Sequence, residues 1–520
     1  MTYKPKTQPM AHQRINHERT AHALEWAAFW EQGTGKSKFL IDTAGYLWTE
    51  QQIQGMVVVA PGGVHLNWLT DELPTHLPDD IPLRALAYNA SAAGTKWHQR
   101  ALRELIEWDG FAVLLITYDA VITDRGKKAL WDMLRTRRCL MACDESHRIK
   151  TPSARRTLTL INAGKYAPYK RILTGTPVAN SPFDVYSQVR FLDPDYWKKT
   201  LGLSTFTEFK SHFGRFIRMT RGNGQQWDEL IGYQNLDQLR DALSHISSRV
   251  TKEEAMDLPP KVYQPRYFEL SPKQAEMYAM LKSQLLAWLD EPGPCSNCGG
   301  SGRLKYNDGS GEIDADCLTC EGTGAVRGGL VTAQLAIQRM LRLQQITCGY
   351  VTLDGETVPQ VIPGPNPRLN LLLEVVEDTP GKIIIWCRFK RDVDLIIDAL
   401  RRVGRKPVRY DGTLSDDELV ESRRQFKEGD ATDFVVTLDK GSEGLTLVEA
   451  TTSVYYSNTF KLIQREQSED RNHRKGQDQK VVYIDLVARG TIDEHIIKLL
   501  RAKKDVASQV TGDNIREWLK

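Results

Sequence analysis

EQGTGKSK, residues 31–38, sets two glycines, a lysine and a serine just ahead of a helical pattern marked by Leu40, Ile41, Ala44, Leu47 and Trp48. Gly33 and Gly35, on either side of Thr34, let backbone N–H groups approach phosphate oxygens, and the N-terminus of the helix that follows favours anions. Lys36 would reach the β and γ phosphates of a nucleotide, and the Ser37 hydroxyl would bind magnesium. The full eight-residue phosphate-loop pattern starts with glycine, and this chain has Trp30 there. By itself the stretch also fits a chance glycine turn.

Two further stretches bear on that choice. DESH (144–147) follows an apolar run, which puts its acids at the carboxyl end of a strand, where α/β sheets bind ligands. Asp144 would hold magnesium, directly or through water, and Glu145 would orient or deprotonate an attacking water. Two solvated acids ending a strand are the bland alternative. QSEDRNHRKGQ (467–477) carries Arg471 and Arg474 three apart, so on a helix both guanidinium groups share one face. Such arginines suit the charge that builds on a γ-phosphate during transfer, and a basic helix face in solvent is the competing reading.

Around these stretches, short apolar runs alternate with helical patterns in two blocks, as in doubly wound parallel sheets. The first block offers strands at 56–60, 112–117, 139–146 and 170–176, the second at 382–387, 433–438, 453–458 and 481–487. The spacing therefore predicts an α/β chain of two lobes, 1–250 and 267–520, joined by a linker at 251–266. Residues 195–250 read as a helical insertion in the first lobe. SPKQ (271–274) is a capping-box start, and helical spacing before and after the cysteines predicts a hairpin over 271–349.

At 520 residues, two or more cores are expected. Lysine plus arginine (69) nearly balance aspartate plus glutamate (66), so a net charge of +3 gives no whole-molecule attraction to nucleic acid, and any phosphate-binding surface must be local. The N-terminus has no apolar run of signal-peptide length and no run spans a bilayer, which predicts a soluble intracellular protein without a membrane partner. Cys139, Cys143, Cys348 and Cys387 read as buried small hydrophobes.

The other four cysteines form a knob at 292–326. CxxCxGxG occurs at 295–302 and again at 317–324. Cys295, Cys298, Cys317 and Cys320 fit tetrahedral Zn2+, with glycines permitting the tight turns, and reduced or disulfide-linked cysteines are the alternative. The 303–316 stretch between them has too few apolar residues for a core, so a structural rather than catalytic metal is expected. The repeat resembles the zinc-binding cysteine motif of DnaJ-type chaperones, although two copies here complete only one four-cysteine site.

Taken in order, the motifs resemble the ATPase core of helicase superfamily two, in its Swi/Snf remodeller-type branch. Gln13 in PMAHQ looks like the adenine-reading glutamine, VVVAPGGVHLNW (57–68) like motif Ia and LLITYDAV (114–121) like motif Ib. DESHRIK is similar to DEAHRIK, and LTGTPVANSPFDVYSQVRFLDP (173–194) to LTGTPLQN with its continuation. RVTKEEAMDLPPK (249–261), RLQQITCGY (342–350), GSEGLTLVEA (441–450) and QSEDRNHRKGQ resemble the branch's linker, hairpin helix and last two motifs. Trp30, Ser442 and Thr446 depart from the pattern.

The resemblance implies two RecA-like lobes that bind ATP and Mg2+ in their shared cleft through Gln13, Gly33, Thr34, Gly35, Lys36 and Ser37. Asp144, Glu145, Gln467, Arg471 and Arg474 would be catalytic, and His147 and Thr174 would couple the cleft to nucleic acid. Pro61, Gly62, Thr117, Thr176, Thr437, Lys440 and Gly441 match positions near a nucleic-acid backbone. The expected activity is ATP-driven translocation on double-stranded DNA, in repair, recombination, replication or restriction in the cytoplasm of a bacterial or phage-infected cell. The rival readings are a strand-separating helicase on DNA or RNA and an ATP-gated clamp without useful turnover. The knob would extend the second lobe toward DNA or a protein partner.

Overall fold

The computed structural model describes residues 3–62, 64–220, 226–290, 292–294, 301–307, 312–317, 322–323, 325–327, 333–352, 356, 358–441 and 445–511. Two parallel sheets organise them. The first runs Leu83–Ala87, Phe111–Thr117, Gly55–Ala60, Cys139–Asp144, Tyr169–Leu173, Glu25–Trp30 and Ser247–Val250. The second runs Lys261–Phe268, Val481–Ala488, Thr452–Tyr455, Ile383–Cys387, Asp433–Thr437 and Pro407–Tyr410.

Both faces of each sheet are covered, which is why the central strands are almost wholly apolar. Successive side chains point to opposite faces. Ala27, Phe29, Val57 and Val59 enter one core, while Trp26, Ala28, Trp30, Met56 and Val58 enter the other. In the second sheet Ile383 and Ile385 are separated in the same way from Ile384 and Trp386. Cys139, Cys143, Cys348 and Cys387 are all buried in these interiors.

The structure differs from the sequence reading over 195–250. This region is not simply helical: an antiparallel hairpin, Gly214–Thr220 with Gln226–Tyr233, follows helix Phe206–Phe213. Ser247–Val250 then joins the edge of the first sheet beside Glu25–Trp30. Arg215, Phe216, Ile217 and Arg218 mix charge and apolarity at short range, and Phe216 packs on the first core while Ile217 stays exposed. Much of the expected linker is also regular, since Lys261–Phe268 is the edge strand of the second sheet. Pro265 sits there without interrupting the pairing, as an edge position allows.

The expected helical hairpin is present as Pro272–Asp290 and Ala333–Thr347. Ser271 N donates to Gln274 Oε1 at 3.1 Å and Gln274 N to Ser271 Oγ at 3.4 Å, completing the capping box. Tyr278, Leu343 and Ile346 close the base of the hairpin. In the knob, Arg303–Asn307 pairs antiparallel with Glu312–Asp316, and Pro292–Pro294 with Ala325–Arg327. Cys317 is buried, whereas Cys295, Cys298 and Cys320 lie outside the described residues. Among the described residues no group of three or more His, Cys, Asp or Glu is placed to hold a metal, and no helix is long and apolar enough to cross a membrane.

Candidate nucleotide cleft

The 31–38 turn leads into helix Lys36–Thr49 through two left-handed glycines, Gly33 at φ 82° and Gly35 at φ 81°. The left-handed backbone calls for glycine at 35, and a Cβ there would fall 2.1 Å from Gln13 Nε2, so it would also push that amide from its place. Gln13 is buried beneath the turn and donates from Nε2 to Gly35 O at 2.9 Å. Thr34 Oγ1 donates to Glu31 O at 2.7 Å. Lys36 folds back over its own loop, its Nζ donating to Trp30 O at 2.9 Å and Glu31 O at 3.1 Å. Burial lowers its pKa, while Glu145 and Asp144 favour its charge. A buried ammonium above a turn held open by two glycines fits a phosphate group.

Cys139–Asp144 delivers the two acids to the same place. Asp144 Oδ2 accepts from Trp68 Nε1 at 3.1 Å, and Oδ1 accepts from Glu145 N at 3.0 Å. Burial, then the charge of Glu145, push the Asp144 carboxyl up. Glu145 adopts left-handed backbone, φ 53°, which costs a non-glycine residue about 1–2 kcal/mol. Its carboxylate lies 3.3 Å from His147 Nδ1 and accepts from Gln32 Nε2 at 3.1 Å and Thr174 Oγ1 at 3.5 Å. Burial opposes its charge, but the His147 hydrogen bond, Lys36 and Arg471 hold its pKa low. Glu72 completes this side; burial, then Asp144, push it up to about 7 against a hydrogen bond from Ser37.

The second lobe supplies the arginines, though not from a helix. Helix Leu462–Glu469 ends before them, and Arg471 and Arg474 lie in the turn that follows. Asp470 and Asn472 are poor helix residues whose side chains compete for backbone groups, and this favours the exit. The guanidinium groups still converge: each donates from Nη1 to Leu445 O at 3.1 Å. Arg471 Nε donates to the carbonyl of Gln467 at 2.7 Å, and its Nη2 crosses to Gln32 Oε1 of the first lobe at 2.8 Å. Arg474 Nη1 also donates to Thr446 Oγ1 at 2.8 Å.

A second crossing starts from the acids. His147 Nδ1 lies 3.3 Å from Thr174 Oγ1, which accepts from Thr176 N at 3.2 Å, and Thr176 Oγ1 donates to Glu466 Oε2 of the second lobe at 3.0 Å. Lys252 donates to Asp470 Oδ1 at 2.5 Å and His473 O at 2.6 Å. Gln32, Trp68, Glu72, Lys252 and Glu466 were not singled out from the sequence. Gln32, Trp68 and Lys252 lie inside quoted motifs, but nothing local marks Gln32 or Glu466, each of which takes a partner from the other lobe.

The positions matched to a nucleic-acid backbone sit at or just past the carboxyl ends of strands. Pro61 and Gly62 follow Gly55–Ala60, Thr117 ends Phe111–Thr117, and Thr437 ends Asp433–Thr437 ahead of Lys440 and Gly441. Gly62 and Lys440 are exposed; Pro61, Thr176, Thr437 and Gly441 are buried. Thr117 Oγ1 accepts from Ala120 N at 3.1 Å.

Residues 28–294 match the SNF2-related domain, and residues 367–476 match the helicase conserved C-terminal domain. The "ATP-dependent helicase brm" of Drosophila melanogaster is 26% identical over 92% of this chain and 27% of its own length. The "Transcription regulatory protein SNF2" of Saccharomyces cerevisiae is 25% identical over 92% of this chain and 26% of its own. A SWI/SNF-related regulator of chromatin from Xenopus tropicalis, of subfamily A containing DEAD/H box 1, is 24% identical over 93% and 48%. The chain thus spans about a quarter to a half of these relatives. Among solved structures, the "Sulfolobus solfataricus SWI2/SNF2 ATPase core in complex with dsDNA" is 20% identical, covers 99% of this chain and 95% of its own, and has a TM-score of 0.39.

Proposed function

The chain belongs to the SNF2-related family, and on that premise we propose that it is an ATP-driven translocase on double-stranded DNA. The observation that carries the reading is the cleft itself, where Glu145, beside Lys36 and Asp144 in one lobe, meets Arg471 of the other through Gln32. ATP with Mg2+ supplies the γ-phosphoryl group whose transfer to water is the chemistry of such a site. Lys36 neutralises phosphate charge, and Ser37 and Asp144 hold the magnesium. Glu145, kept ionised by its surroundings, takes the proton of the attacking water. Arg471 and Arg474 face the charge that grows in the transition state, and Gln13 reads the adenine.

His147 and Thr174 carry the state of the cleft toward Thr176, and Gln467 supports Arg471 through its carbonyl. Pro61, Gly62, Thr117, Thr437, Lys440 and Gly441 lie along the DNA backbone, and Lys440 supplies charge to it. Cys295, Cys298, Cys317 and Cys320 bind one structural Zn2+, and the knob contacts DNA or a protein partner. Two features support the metal: Cys317 N donates to Gly302 O at 2.7 Å, joining the two cysteine repeats, and both Gly302 and Gly322 take left-handed backbone.

ATP hydrolysis measured with duplex DNA, single-stranded DNA, RNA and no polymer tests the reading. Duplex should stimulate most, and a triplex-forming strand should be displaced without separation of the duplex. Release of one strand from a forked duplex would replace the translocase by a helicase. The setting we propose is repair, recombination, replication or restriction in a bacterial or phage-infected cytoplasm. Stronger stimulation by nucleosomal than by naked DNA would overturn it.

A further inference from the structure

We infer that Gln32 is a positioning residue that ties Arg471 to Glu145 across the cleft and keeps these two opposite charges from pairing directly. The inference rests on the ATPase reading and adds to it a residue that the phosphate-loop pattern leaves unspecified. Gln32 sits between Glu31 and Gly33, in the turn that leads to Lys36. Its amide uses both ends: Nε2 donates to Glu145 Oε1 at 3.1 Å and Oε1 accepts from Arg471 Nη2 at 2.8 Å. An amide carries its donor and its acceptor on separate atoms of one planar tip, so it can face a carboxylate and a guanidinium at once.

The choice of an amide has a kinetic consequence. Arg471 is held at its other nitrogens by Gln467 O and Leu445 O, so its Nη2 is the arm directed into the first lobe. Without an intervening group, that arm and the Glu145 carboxylate would form a buried ion pair, and separating such a pair is more costly than breaking a hydrogen bond to a neutral amide. Gln32 thus keeps the lobes engaged while leaving Arg471 able to exchange the amide oxygen for a phosphate oxygen. It also keeps Glu145 available to water. The effect falls on the chemical step, because ground-state phosphate is already met by Lys36 and the loop backbone.

Gln32→Met keeps the length of the side chain and removes both hydrogen bonds; Gln32→Glu pairs with Arg471 and repels Glu145. With saturating duplex DNA, Gln32→Met should lower kcat about tenfold, the scale of one hydrogen bond to a charged group, with KM for ATP within about twofold. Gln32→Glu should lower it further. In an Arg471→Lys background the additional loss caused by Gln32→Met should largely vanish, because the two residues act as one unit. Independently of turnover, Gln32→Met should speed amide hydrogen exchange over residues 467–477 in nucleotide-free protein. Unchanged kcat in Gln32→Met would overturn the inference, as would a matched fall in affinity for a fluorescent ATP analogue, which would make Gln32 an ordinary loop residue. A wild-type protein that hydrolyses no ATP but shows the exchange difference would sink the ATPase reading and leave the tie standing. The absence of both would sink both.

Discussion

Trp68 Nε1 donates to Asp144 Oδ2 at 3.1 Å, with the indole ring almost wholly buried. Asp144 is therefore oriented from two sides, by this indole and by the backbone N–H of Glu145. A carboxylate held this way keeps one orientation, and the nearby Lys36 charge favours its ionised form. Trp68→Phe keeps an aromatic ring and removes the donor. We expect the magnesium concentration for half-maximal ATP hydrolysis to rise about tenfold, consistent with one lost hydrogen bond to a charged group. A magnesium titration identical to wild type would mean that the indole serves packing alone.

Lys36 and Glu145 face each other in the cleft but should act at different stages. Lys36→Ala removes the cation that meets ground-state phosphate, so it should abolish binding of a fluorescent ATP analogue. Glu145→Gln retains the hydrogen-bonding shape next to His147 and Gln32 and should bind the analogue normally while failing to turn over. Equal affinities in the two variants would contradict these assignments.

Arg471→Ala and Arg474→Ala should each lower turnover by about a thousandfold or more, the range of arginine fingers, with little change in ATP affinity. Arg471 already reaches the first lobe through Gln32, whereas Arg474 donates to Leu445 O and Thr446 Oγ1 of its own lobe. Near-normal turnover in either variant would assign that arginine to the support of the Leu445 loop.

Much of this architecture can be read from local pattern. Gly55–Ala60, Phe111–Thr117 and Ile383–Cys387 are continuous apolar runs because both faces of a parallel strand are buried. Lys261–Phe268 lacks a continuous apolar run because its charges and Pro265 suit an edge, and Pro407–Tyr410 lacks one because it is short and only partly covered. At the cleft, Lys36, Asp144 and Glu145 carry their meaning in their immediate neighbours. Gln32 and Glu466 do not, since each acquires its role from a partner hundreds of residues away. Arg471 and Arg474 were expected to converge along a helix face, and they converge instead because a turn aims both at Leu445 O.

Glu466 offers a pH test of the lobe contact. Burial raises its pKa from 4.5 to about 7, against Lys504 and the hydrogen bond from Thr176, while Asp470 and Glu31 push it up further. The folded protein therefore binds a proton here that the unfolded chain has lost, between about 4.5 and 7. This contribution to stability is full below that window and disappears as pH rises through about 7. Glu466→Gln should flatten this part of the profile, so that the melting temperature of the variant gains on wild type between pH 5 and pH 8. Parallel profiles would mean that Glu466 is ionised throughout.

The proposed zinc site in the knob can be tested apart from the motor. It is inserted between Pro272–Asp290 and Ala333–Thr347, whose packed base at Tyr278, Leu343 and Ile346 belongs to the second lobe and does not need the tip. Gln274 Nε2 also donates to Ile346 O at 2.8 Å, fixing the two helices to each other below the cysteines. Replacing residues 295–324 by a short glycine-serine turn should therefore leave a folded protein that has lost one equivalent of zinc. DNA-independent ATP hydrolysis should persist, because Lys36, Glu145 and Arg471 are held by other elements. Stimulation by duplex DNA, or capture of a protein partner, should weaken. Zinc content equal to wild type would sink the metal assignment. Loss of all hydrolysis in a folded deletion protein would instead show that the hairpin tip is coupled to the cleft. A structural Zn2+ of this type contributes on the order of 10–16 kcal/mol in small peptides, so chelation should unravel the knob well before it affects the two sheets.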